Sequence, residues 1–382
     1  MQLTMTPPSP SRPTILQTEW STGWGGQEIR TLDEMQGLRE QFNFHVACRP
    51  EAEFGRLAGA AGFPVTYLPF RGRLDRVTIG GLRRLIRQQA IRAIHTHSSI
   101  DAYCGGIVGR LTGTPVVRTR HLMLTEKPGI KLKLLYGWLA NTVICTGEHI
   151  RQTLITSGAC TPDRAVTLRP GVDLNRFTQS VESAAEARRL IRTQWNLSED
   201  AFVVGIIAML RMKKGHRLLL DAFSRCLAHA PHAHLMIIGE GPARSQIEQR
   251  IIELNLQGHV TMTGYQDTIP AYLQSLDLCA VPSYEEACSQ VTLQAMVAGI
   301  PVLGSNVGGL PELITPGETG QLFPCGDLEA LASCLRYSVD NPDALRRMRI
   351  SAAEHAQAHF SREAQLENLA SVYRRLFNQC ID

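Results

Sequence analysis

The chain has 382 residues, more than one hydrophobic core usually supports, so two domains of roughly 100 to 200 residues each are expected. Apolar residues make up 44% of it and charged residues 19%, which is typical of a globular protein and excludes a disordered or membrane-spanning chain. The formal net charge of +4, from 39 basic and 35 acidic residues, is too small to favour nucleic acid as the main partner.

The first residues and the cysteines bear on where the protein is found. Residues 1–13 contain no apolar stretch of the kind that secretory signals need, and we interpret them as a disordered leader. The ten cysteines are scattered and form no C-x-x-C pair, a pattern typical of reduced thiols. No window approaches 18 uninterrupted apolar residues. These features predict a cytoplasmic protein that does not cross a membrane.

In the first half of the chain, short β-rich runs alternate with helical patterns. The runs TILQT, FHVAC, VTYLP, AIHTH, PVVRT and NTVICT are predicted strands; helices are predicted from about Gly26 and over GGLRRLIRQQAIR. Repeated alternation of strand and helix predicts a parallel sheet that is covered on both faces. The expected result is a Rossmann-like domain at residues 14–175.

The same rhythm restarts in the second half with the predicted strands AFVVGIIAM, HLMIIG, HVTMTG, DLCAVPS and PVLGS. The boundary is expected at RPGVDLNRF, where Pro170 and Gly171 end a strand. A second Rossmann-like domain is predicted at residues 176–360. Residues 361–380 form an amphipathic pattern, and we expect this last helix to pack back on the first domain.

The stretch SYEEACSQVTLQAM follows the predicted strand that ends at Pro282. A helix is predicted from about Gln290 to Ala298, with Ser289 as its cap. Ligands of open parallel sheets bind at the carboxyl ends of strands, and a helix N-terminus offers free N–H groups to an anion. Because the helix dipole alone contributes only about 0.3 to 2 kcal/mol, we expect cations to assist.

The stretch MLRMKKGHR supplies such cations at the end of another predicted strand. Arg211 and Lys214 are predicted to hold a diphosphate, each through charge-assisted hydrogen bonds of roughly 1.5 to 3 kcal/mol. Lys213 is more typical of a solvated turn.

Further candidates lie at the strand ends of the first domain. Gly25 and Gly26 in GWGGQE allow a ligand to approach the backbone closely, although a plain tight turn explains them equally well. His97 and the pair Arg120 and His121 end two other predicted strands. A lone histidine at such a position is more often structural than functional.

Taken together, these pieces resemble the retaining glycosyltransferases of family 4, whose GT-B fold consists of two facing Rossmann-like domains. The similar stretches occur in the family's order over nearly the whole chain: GWGGQE, RPGVDLNRF, LRMKKG, IIGEGP, VPSYEEACSQVTLQAMVAGIPVLGSNVGGLPELI and TGQLFPCGDLEAL.

The resemblance implies transfer of a sugar from a UDP-, GDP- or ADP-sugar to an acceptor hydroxyl, with retention of configuration and with no required metal or cofactor. The family's E-x7-E pair falls on Glu286 and position 294. By this resemblance Glu286 contacts the hydroxyls of the donor sugar. We predict a catalytic set of Glu286, the cations Arg211 and Lys214, and the strand-end His97. The resemblance also implies donor-binding contacts from Gly25, Gly26, Ala287, Cys288, Ser289, Gln290, Val291 and Gln294.

Three positions depart from the family pattern. The second glutamate is Gln294, which keeps an acceptor oxygen for the nucleotide ribose but loses the charge, weakening that contact by about 1 kcal/mol. The arginine of the family's G-R-L motif is Met209, and the asparagine of its N-G-V-D hinge is Pro170. Donor binding is therefore expected to survive, and the sequence leaves the nucleotide preference open.

The acceptor is expected on the first domain. RGRLDRVTIGGLRRLIRQQAIR and KPGIKLKLLYGWL mix basic and apolar residues, which suits anionic lipid headgroups but equally describes ordinary amphipathic helices. We therefore expect lipopolysaccharide, glycolipid or polysaccharide synthesis, with association at the cytoplasmic membrane face. Two alternatives stay open: a nucleotide-sugar epimerase of the same fold, and a nucleotide-sugar-binding subunit without turnover.

Overall fold

The computed structural model describes residues 12–124 and 129–378. The leader expected at residues 1–13 lies outside this part of the chain except for its last two residues, and so do the last two residues of the stretch 361–380. The chain divides into two compact units. Unit 1 extends to Pro170 and takes up the chain again from Glu363, whereas unit 2 is Gly171–Arg362.

Unit 1 contains a seven-stranded sheet whose strands pair in parallel, in the order β3-β2-β1-β4-β5-β6-β7. Its strands are β1 (Thr14–Glu19), β2 (Asn43–Cys48), β3 (Val65–Tyr67), β4 (Ile91–Thr96), β5 (Val116–Arg120), β6 (Thr142–Cys145) and β7 (Ala165–Thr167). Six of them correspond to predicted strands, whereas β7 was not predicted.

Helices follow the strands of unit 1: α1 (Gly26–Leu38), α2 (Glu53–Ala60), α3 (Arg76–Gln88), α4 (Ser99–Thr112), the short α5 (Ile130–Leu132), a π-helical turn (Lys133–Trp138) and α6 (Glu148–Thr156). The helix predicted over GGLRRLIRQQAIR begins and ends earlier in the chain than expected. The helix begins at Arg76 because Asp75 caps it through Val77 N, and β4 already starts at Ile91.

Unit 2 contains a six-stranded parallel sheet in the order β10-β9-β8-β11-β12-β13. Its strands are β8 (Phe202–Ile207), β9 (Ala233–Ile238), β10 (Val260–Gly264), β11 (Leu278–Val281), β12 (Val302–Ser305) and β13 (Gly320–Phe323). Its helices are α7 (Leu174–Phe177), α8 (Val181–Gln194), α9 (His216–Leu227), α10 (Arg244–Glu253), α11 (Ile269–Ser275), α12 (Gln290–Val297), α13 (Leu328–Asp340) and α14 (Pro342–His359), with 3-10 turns at Met212–Lys214 and Leu310–Glu312.

The last helix, α15 (Arg362–Asn378), belongs almost entirely to unit 1. Leu369, Tyr373 and Leu376 on it are buried in the same core cluster as Ile15 and Phe42. This burial explains why the amphipathic period of the stretch was readable from the sequence.

The chain enters and leaves unit 2 side by side. Val172 N–H donates to the Phe360 carbonyl at 2.8 Å, and Arg362 N–H donates to the Val172 carbonyl at 3.0 Å. A Cβ on Gly171 would lie 2.7 Å from the Arg362 backbone, so only glycine permits this approach. Both sheets place the protein in the α/β class, as predicted. Within the described ranges, no helix is long and apolar enough to cross a membrane.

Candidate active site

At the carboxyl edge of the sheet in unit 2, the loop after β8 packs against the loop after β11. Gly215 has a φ of +76° and lies so close to Pro282 that a Cβ would be 1.9 Å from the Pro282 carbonyl oxygen. The backbone N–H of Tyr284 donates to the Lys213 carbonyl at 2.8 Å. Gly215 is therefore required both for its backbone conformation and for the close packing of the two loops.

The loop after β12 closes the other side of the β11 loop. Gly309 N–H donates to the Glu286 carbonyl at 3.0 Å, and a Cβ on Gly309 would lie 2.3 Å from the Ala287 carbonyl oxygen. Residues 283–289 are thus held between two neighbouring loops. This support fixes the start of α12.

The N-terminus of α12 forms as predicted. Ser289 is the cap, and its side chain accepts a hydrogen bond from Thr292 N. The backbone N–H groups of Gln290 and Val291 have no acceptor in the described part of the chain. They are two of the unpaired donors that every helix N-terminus carries, and they are suited to an anion.

Lys214 and Glu286 form an ion pair beside this helix start. Lys214 Nζ lies 2.7 Å from Glu286 Oε2, and the Ser283 hydroxyl donates to the same oxygen at 3.2 Å. The Glu286 side chain is 10% exposed and that of Lys214 is 26% exposed. An ammonium group has three donors, so Lys214 can bind Glu286 and still donate to a phosphate.

The residues next in sequence pair differently. Lys213 Nζ lies 3.7 Å from Glu285 Oε2, and both side chains are more than 40% exposed. Such surface pairs contribute little to stability. Arg211 is exposed directly before the 3-10 turn that contains both lysines. Of the two cations predicted to hold a diphosphate, the structure therefore brings Lys214 to Glu286 and leaves Arg211 at the surface, together with Lys213.

Three further donor-site candidates lie along the same segment. Ala287 is buried, whereas Cys288 and Gln294 are half-buried. Gln294 lies within α12, and its backbone carbonyl accepts from Ala298 N. The side-chain amide of Gln294 makes no hydrogen bond to a described residue, so its predicted contact with a ribose is neither blocked nor pre-formed.

The glycine pair in unit 1 differs from expectation at one position. Gly25 caps α1, and its N–H donates to Glu28 Oε2 at 2.9 Å. The Gly25 N–H already donates to Glu28, so a ligand could accept from it only by displacing the Glu28 carboxylate. A Cβ on Gly26 would meet nothing within 4 Å, which leaves open space at this turn.

His97 is not at the surface of unit 1. It is 4% exposed, and both ring nitrogens are engaged, Nε2 with Gln17 Oε1 at 2.7 Å and Nδ1 with His121 Nε2 at 3.1 Å. His121, at the end of β5, is half-buried. The prediction that His97 contacts substrate needs correction, because His97 lies behind His121 and can act only through it.

A carboxyl group that sequence reasoning missed lies at the end of β1. Glu19 is 1% exposed; it accepts hydrogen bonds from Ser21 N, the Gln27 side-chain amide and the Ser98 hydroxyl. Burial, followed by the nearby Asp101 carboxylate, raises the pKa of Glu19 to about 8. A protonated carboxyl group is therefore expected in this part of unit 1 at neutral pH.

Other residues that the sequence did not indicate support the unit 2 site. Ser283 carries no motif of its own, and only its contact with Glu286 identifies it. His216 follows the lysine pair and is buried, which lowers its pKa to about 4. The neutral imidazole adds no charge beside Lys214. No group of three or more His, Cys, Asp or Glu residues in the described ranges is arranged to hold a metal ion.

Comparison with known proteins agrees with this division into two units. Residues 24–176 match the family model described as Glycosyltransferase Family 4, and residues 187–355 match Glycosyl transferases group 1. The chain is 26% identical over 311 residues to D-inositol 3-phosphate glycosyltransferase of Streptomyces coelicolor, covering 73% of this chain and 68% of the relative. It is 23% identical over 309 residues to N-acetyl-alpha-D-glucosaminyl L-malate synthase of Bacillus anthracis, covering 78% of each.

Solved structures show the same fold. Anabaena HepE, crystallised in complex with UDP, matches with a TM-score of 0.85 at 20% identity, over 95% of this chain and 100% of its own. The two family models together span most of the sequence, and each falls on one of the two parallel sheets. The chain therefore belongs to glycosyltransferase family 4 and is a glycosyltransferase with the GT-B fold.

Proposed function

We propose that this enzyme transfers a sugar from a UDP-sugar to an acceptor hydroxyl with retention of the anomeric configuration. The observation that carries the proposal is the Lys214–Glu286 pair, 2.7 Å apart, next to the unpaired N–H groups of Gln290 and Val291. One cation, one carboxylate and two amide donors suit a ligand in which a diphosphate adjoins a sugar.

In this proposal the protein stabilises the leaving group. Departure of UDP builds negative charge on the β-phosphate, and donors that are already in place are the most effective way to stabilise such charge. Lys214 and the α12 amides would contact the phosphates, with Arg211 joining from the surface. Glu286 would accept hydrogen bonds from hydroxyls of the donor sugar, and no side chain need act as a nucleophile.

Retention would follow from attack on the face that the diphosphate leaves, with a donor phosphate oxygen taking the proton of the acceptor hydroxyl. The O–H bond of the acceptor and the bond from the anomeric carbon to the phosphate break. The new glycosidic bond forms, and the proton leaves on UDP. The α12 N–H groups would keep the phosphate in place during this step.

UDP is the proposed nucleotide because HepE, which shares the fold, was crystallised with UDP. Gln294 would bind the ribose through its side-chain oxygen. The test is to incubate the purified protein with UDP-, GDP- and ADP-sugars and to measure nucleotide release and the sugar product. Slow release of UDP with the anomeric configuration kept supports the proposal. Epimer formation, or binding without any release, would replace it with one of the two alternatives.

For the acceptor we propose a glycolipid or a growing polysaccharide in lipopolysaccharide or related synthesis. The support is α3, on which Arg83, Arg84 and Arg87 are exposed and Val77 is 59% exposed; Leu74, just before the helix, is 73% exposed. Each basic residue near an anionic bilayer contributes about 1 kcal/mol to adsorption. Cosedimentation with phosphatidylglycerol vesicles, but not with phosphatidylcholine vesicles, is expected, and replacing the three arginines by alanine should abolish it.

The relatives favour a second candidate, a small anionic acceptor. Their names refer to D-inositol 3-phosphate and L-malate, both of which carry a hydroxyl and a negative charge. The same assay distinguishes the two candidates. If either compound accelerates UDP release from the active donor and yields a glycoside, the small-acceptor candidate replaces the glycolipid one.

A further inference from the structure

Three histidines lie together in unit 1, two of them buried and the third half-buried. His95 and His97 lie at the end of β4, and His121 directly follows β5. The ring centroids are 4.2 Å apart for His95 and His97, and 5.3 Å apart for His97 and His121. The ring nitrogens of His95 contact Tyr373 and Thr119, and those of His97 contact Gln17 and His121. These contacts link the residues into a hydrogen-bonded chain.

The chain begins on the C-terminal helix α15. The Tyr373 hydroxyl lies 2.7 Å from His95 Nδ1 and 3.3 Å from the Gln17 side-chain nitrogen, which donates to it. The Gln17 side-chain oxygen lies 2.7 Å from His97 Nε2, and His97 Nδ1 lies 3.1 Å from His121 Nε2. We call Tyr373, Gln17, His97 and His121 the tyrosine–histidine chain.

Burial keeps the members of this chain uncharged. Burial, assisted by the positive charges of Arg30 and Arg118, lowers the pKa of His97 to about 3. Burial and the neighbouring His97 keep the pKa of His121 well below its usual value, and burial raises the pKa of Tyr373. At neutral pH, each imidazole therefore carries one proton, on one of its two nitrogens.

The contacts determine which nitrogen carries that proton. The Gln17 oxygen can only accept, so His97 Nε2 must donate to it and His97 Nδ1 has the lone pair. His97 Nδ1 then accepts from His121 Nε2, which must carry the His121 proton. The lone pair of His121 is consequently on Nδ1, which makes no hydrogen bond to a described residue.

Tyr373 orients the amide on which this assignment depends. Its oxygen accepts from the Gln17 amide, and its proton goes to His95 Nδ1, so that His95 Nε2 donates to the Thr119 hydroxyl at 2.7 Å. Without the phenol oxygen, the Gln17 amide loses the partner of its NH2 group. The opposite orientation of the amide, which would reverse every proton along the chain, then becomes accessible.

The Thr31 hydroxyl does not compete with His121 for His97 Nδ1. Its hydroxyl lies 3.5 Å from His97 Nδ1, but it donates to the Gln27 carbonyl at the shorter distance of 2.9 Å. His97 Nδ1 therefore remains available to accept from His121.

We propose that Tyr373 and Gln17 are positioning residues that, through His97, hold His121 with its proton on Nε2 and its Nδ1 lone pair available to a substrate hydroxyl. The inference rests on the proposed transfer reaction for the identity of that hydroxyl, which belongs to the acceptor or to the water that replaces it. A neutral Nδ1 that accepts a hydrogen bond would orient the hydroxyl without taking its proton.

The first test uses the wild-type protein without ligand. Long-range 1H–15N spectra of the protein labelled with 15N-histidine, with His121 assigned by loss of its signals in His121→Asn, report which nitrogen carries the proton. We expect a protonated Nε2 and a bare Nδ1 for His121. A protonated Nδ1 would overturn the proposal, whatever the activity of the enzyme.

The second test removes the two positioning residues. In Tyr373→Phe and Gln17→Leu, we expect His121 to show a mixture of both neutral forms. The rate of UDP release from UDP-glucose should fall about 3- to 10-fold, which corresponds to one oriented hydrogen bond. UDP affinity, measured by calorimetry, should change by less than about 2-fold, because the donor-binding residues are untouched.

Tyr272→Phe is the matched control. Tyr272 is also buried, and its hydroxyl accepts a hydrogen bond from Trp195 Nε1 at 3.1 Å in unit 2. This variant should keep the His121 spectrum and the rate of UDP release. If Tyr373→Phe and Gln17→Leu also keep both, the positioning role is wrong.

The two proposals fail in different ways. A wild-type protein that releases no UDP from any donor refutes the proposed transfer reaction. The His121 spectrum of the ligand-free protein still tests the tyrosine–histidine chain in that case. A wild-type protein that is active but has the reversed proton order at His121 refutes only the chain. Melting temperatures of the variants show whether a lost activity reflects unfolding.

Discussion

The carboxyl edges of the two sheets have the same topology but opposite chemistry. In unit 2 the edge carries charged side chains and unpaired amides, with Lys214 and Glu286 at its centre. In unit 1 the edge carries the buried His97 and Glu19 and the half-buried His121, and the pKa of each is shifted towards its uncharged form. A parallel sheet thus supplies the position of a site, whereas the side chains at the strand ends determine which ligand it suits.

The difference follows from what each edge is proposed to bind. A diphosphate is recognised by positive charge and N–H donors, which unit 2 provides. A neutral hydroxyl is recognised by oriented hydrogen bonds, and uncharged imidazoles provide these without attracting a second anion. Substitutions at each edge test this contrast.

Glu286→Ala should abolish transfer. The variant loses the carboxylate proposed for the donor sugar and leaves Lys214 without its partner, and we expect a loss of about 100-fold or more in kcat/KM. The neighbouring Glu285→Ala is the matched control and should change the rate by less than about 2-fold, because its pair with Lys213 is exposed. UDP release and melting temperature are measured for both; equal kinetics in the two variants would contradict the assignment.

Lys214→Ala should weaken donor binding. Loss of one charge-assisted contact of roughly 1.5 to 3 kcal/mol corresponds to an increase of about 10- to 100-fold in the donor KM. Lys213→Ala changes the adjacent lysine and should leave the donor KM within about 2-fold. Calorimetric titration with UDP checks both variants. A larger effect from Lys213 would show that the exposed pair is the functional one.

Glu19→Gln should change how stability depends on pH. The pKa of Glu19 is raised from 4.5 to about 8, so between these values the folded protein keeps a proton that the unfolded chain has lost. The stabilisation from this group is complete below pH 4.5 and is lost as the pH rises through 8, at about 1.4 kcal/mol per pH unit. The free energy of unfolding of Glu19→Gln does not decrease in this way, because a glutamine side chain does not titrate.

The measurement is the free energy of unfolding of wild type and Glu19→Gln in urea at pH 5, 6, 7 and 8. The difference between them should move steadily in favour of the variant as the pH rises. A constant difference would mean that Glu19 is ionised in the folded protein, and the contrast between the two edges would then be weaker than described.

Gln294→Glu should have the smallest effect. Restoring a carboxylate on α12 strengthens a ribose contact by about 1 kcal/mol, or roughly 5-fold in UDP affinity. Gln194→Glu, at an exposed position at the end of α8, introduces the same charge as a control. Calorimetry with UDP distinguishes the two variants. If neither affects UDP binding, Gln294 does not belong to the donor site.

Much of unit 2 could be predicted from local sequence, because the responsible interactions are local. The start of α12 at Gln290 and its Ser289 cap are contacts within three residues, and they formed as expected. The sequence also shows two adjacent lysines, Lys213 and Lys214, and two adjacent glutamates, Glu285 and Glu286. The sequence did not show which lysine–glutamate pair is more buried and which is exposed, because this depends on how the β8 and β11 loops face each other.

Unit 1 was harder to predict for the same reason. His97 was identified as a strand-end histidine, but its burial behind His121 depends on neighbouring strands. Nothing in the sequence pointed to Glu19, because its raised pKa comes from burial and from the nearby Asp101 carboxylate, which depend on the fold. The strands β7 and β13 were not predicted, and their pairing with β6 and β12 makes them strands.

The amino-acid sequence by itself determined the alternation of strands and helices, the cap of α12 and the residue types at each strand end, because propensity, periodicity and capping act over a few neighbouring residues. Only the tertiary structure decided which charges are buried and which imidazole nitrogen carries a proton. Gln17 and Tyr373 are 356 positions apart, and their hydrogen bond exists because α15 returns to the first strand of unit 1.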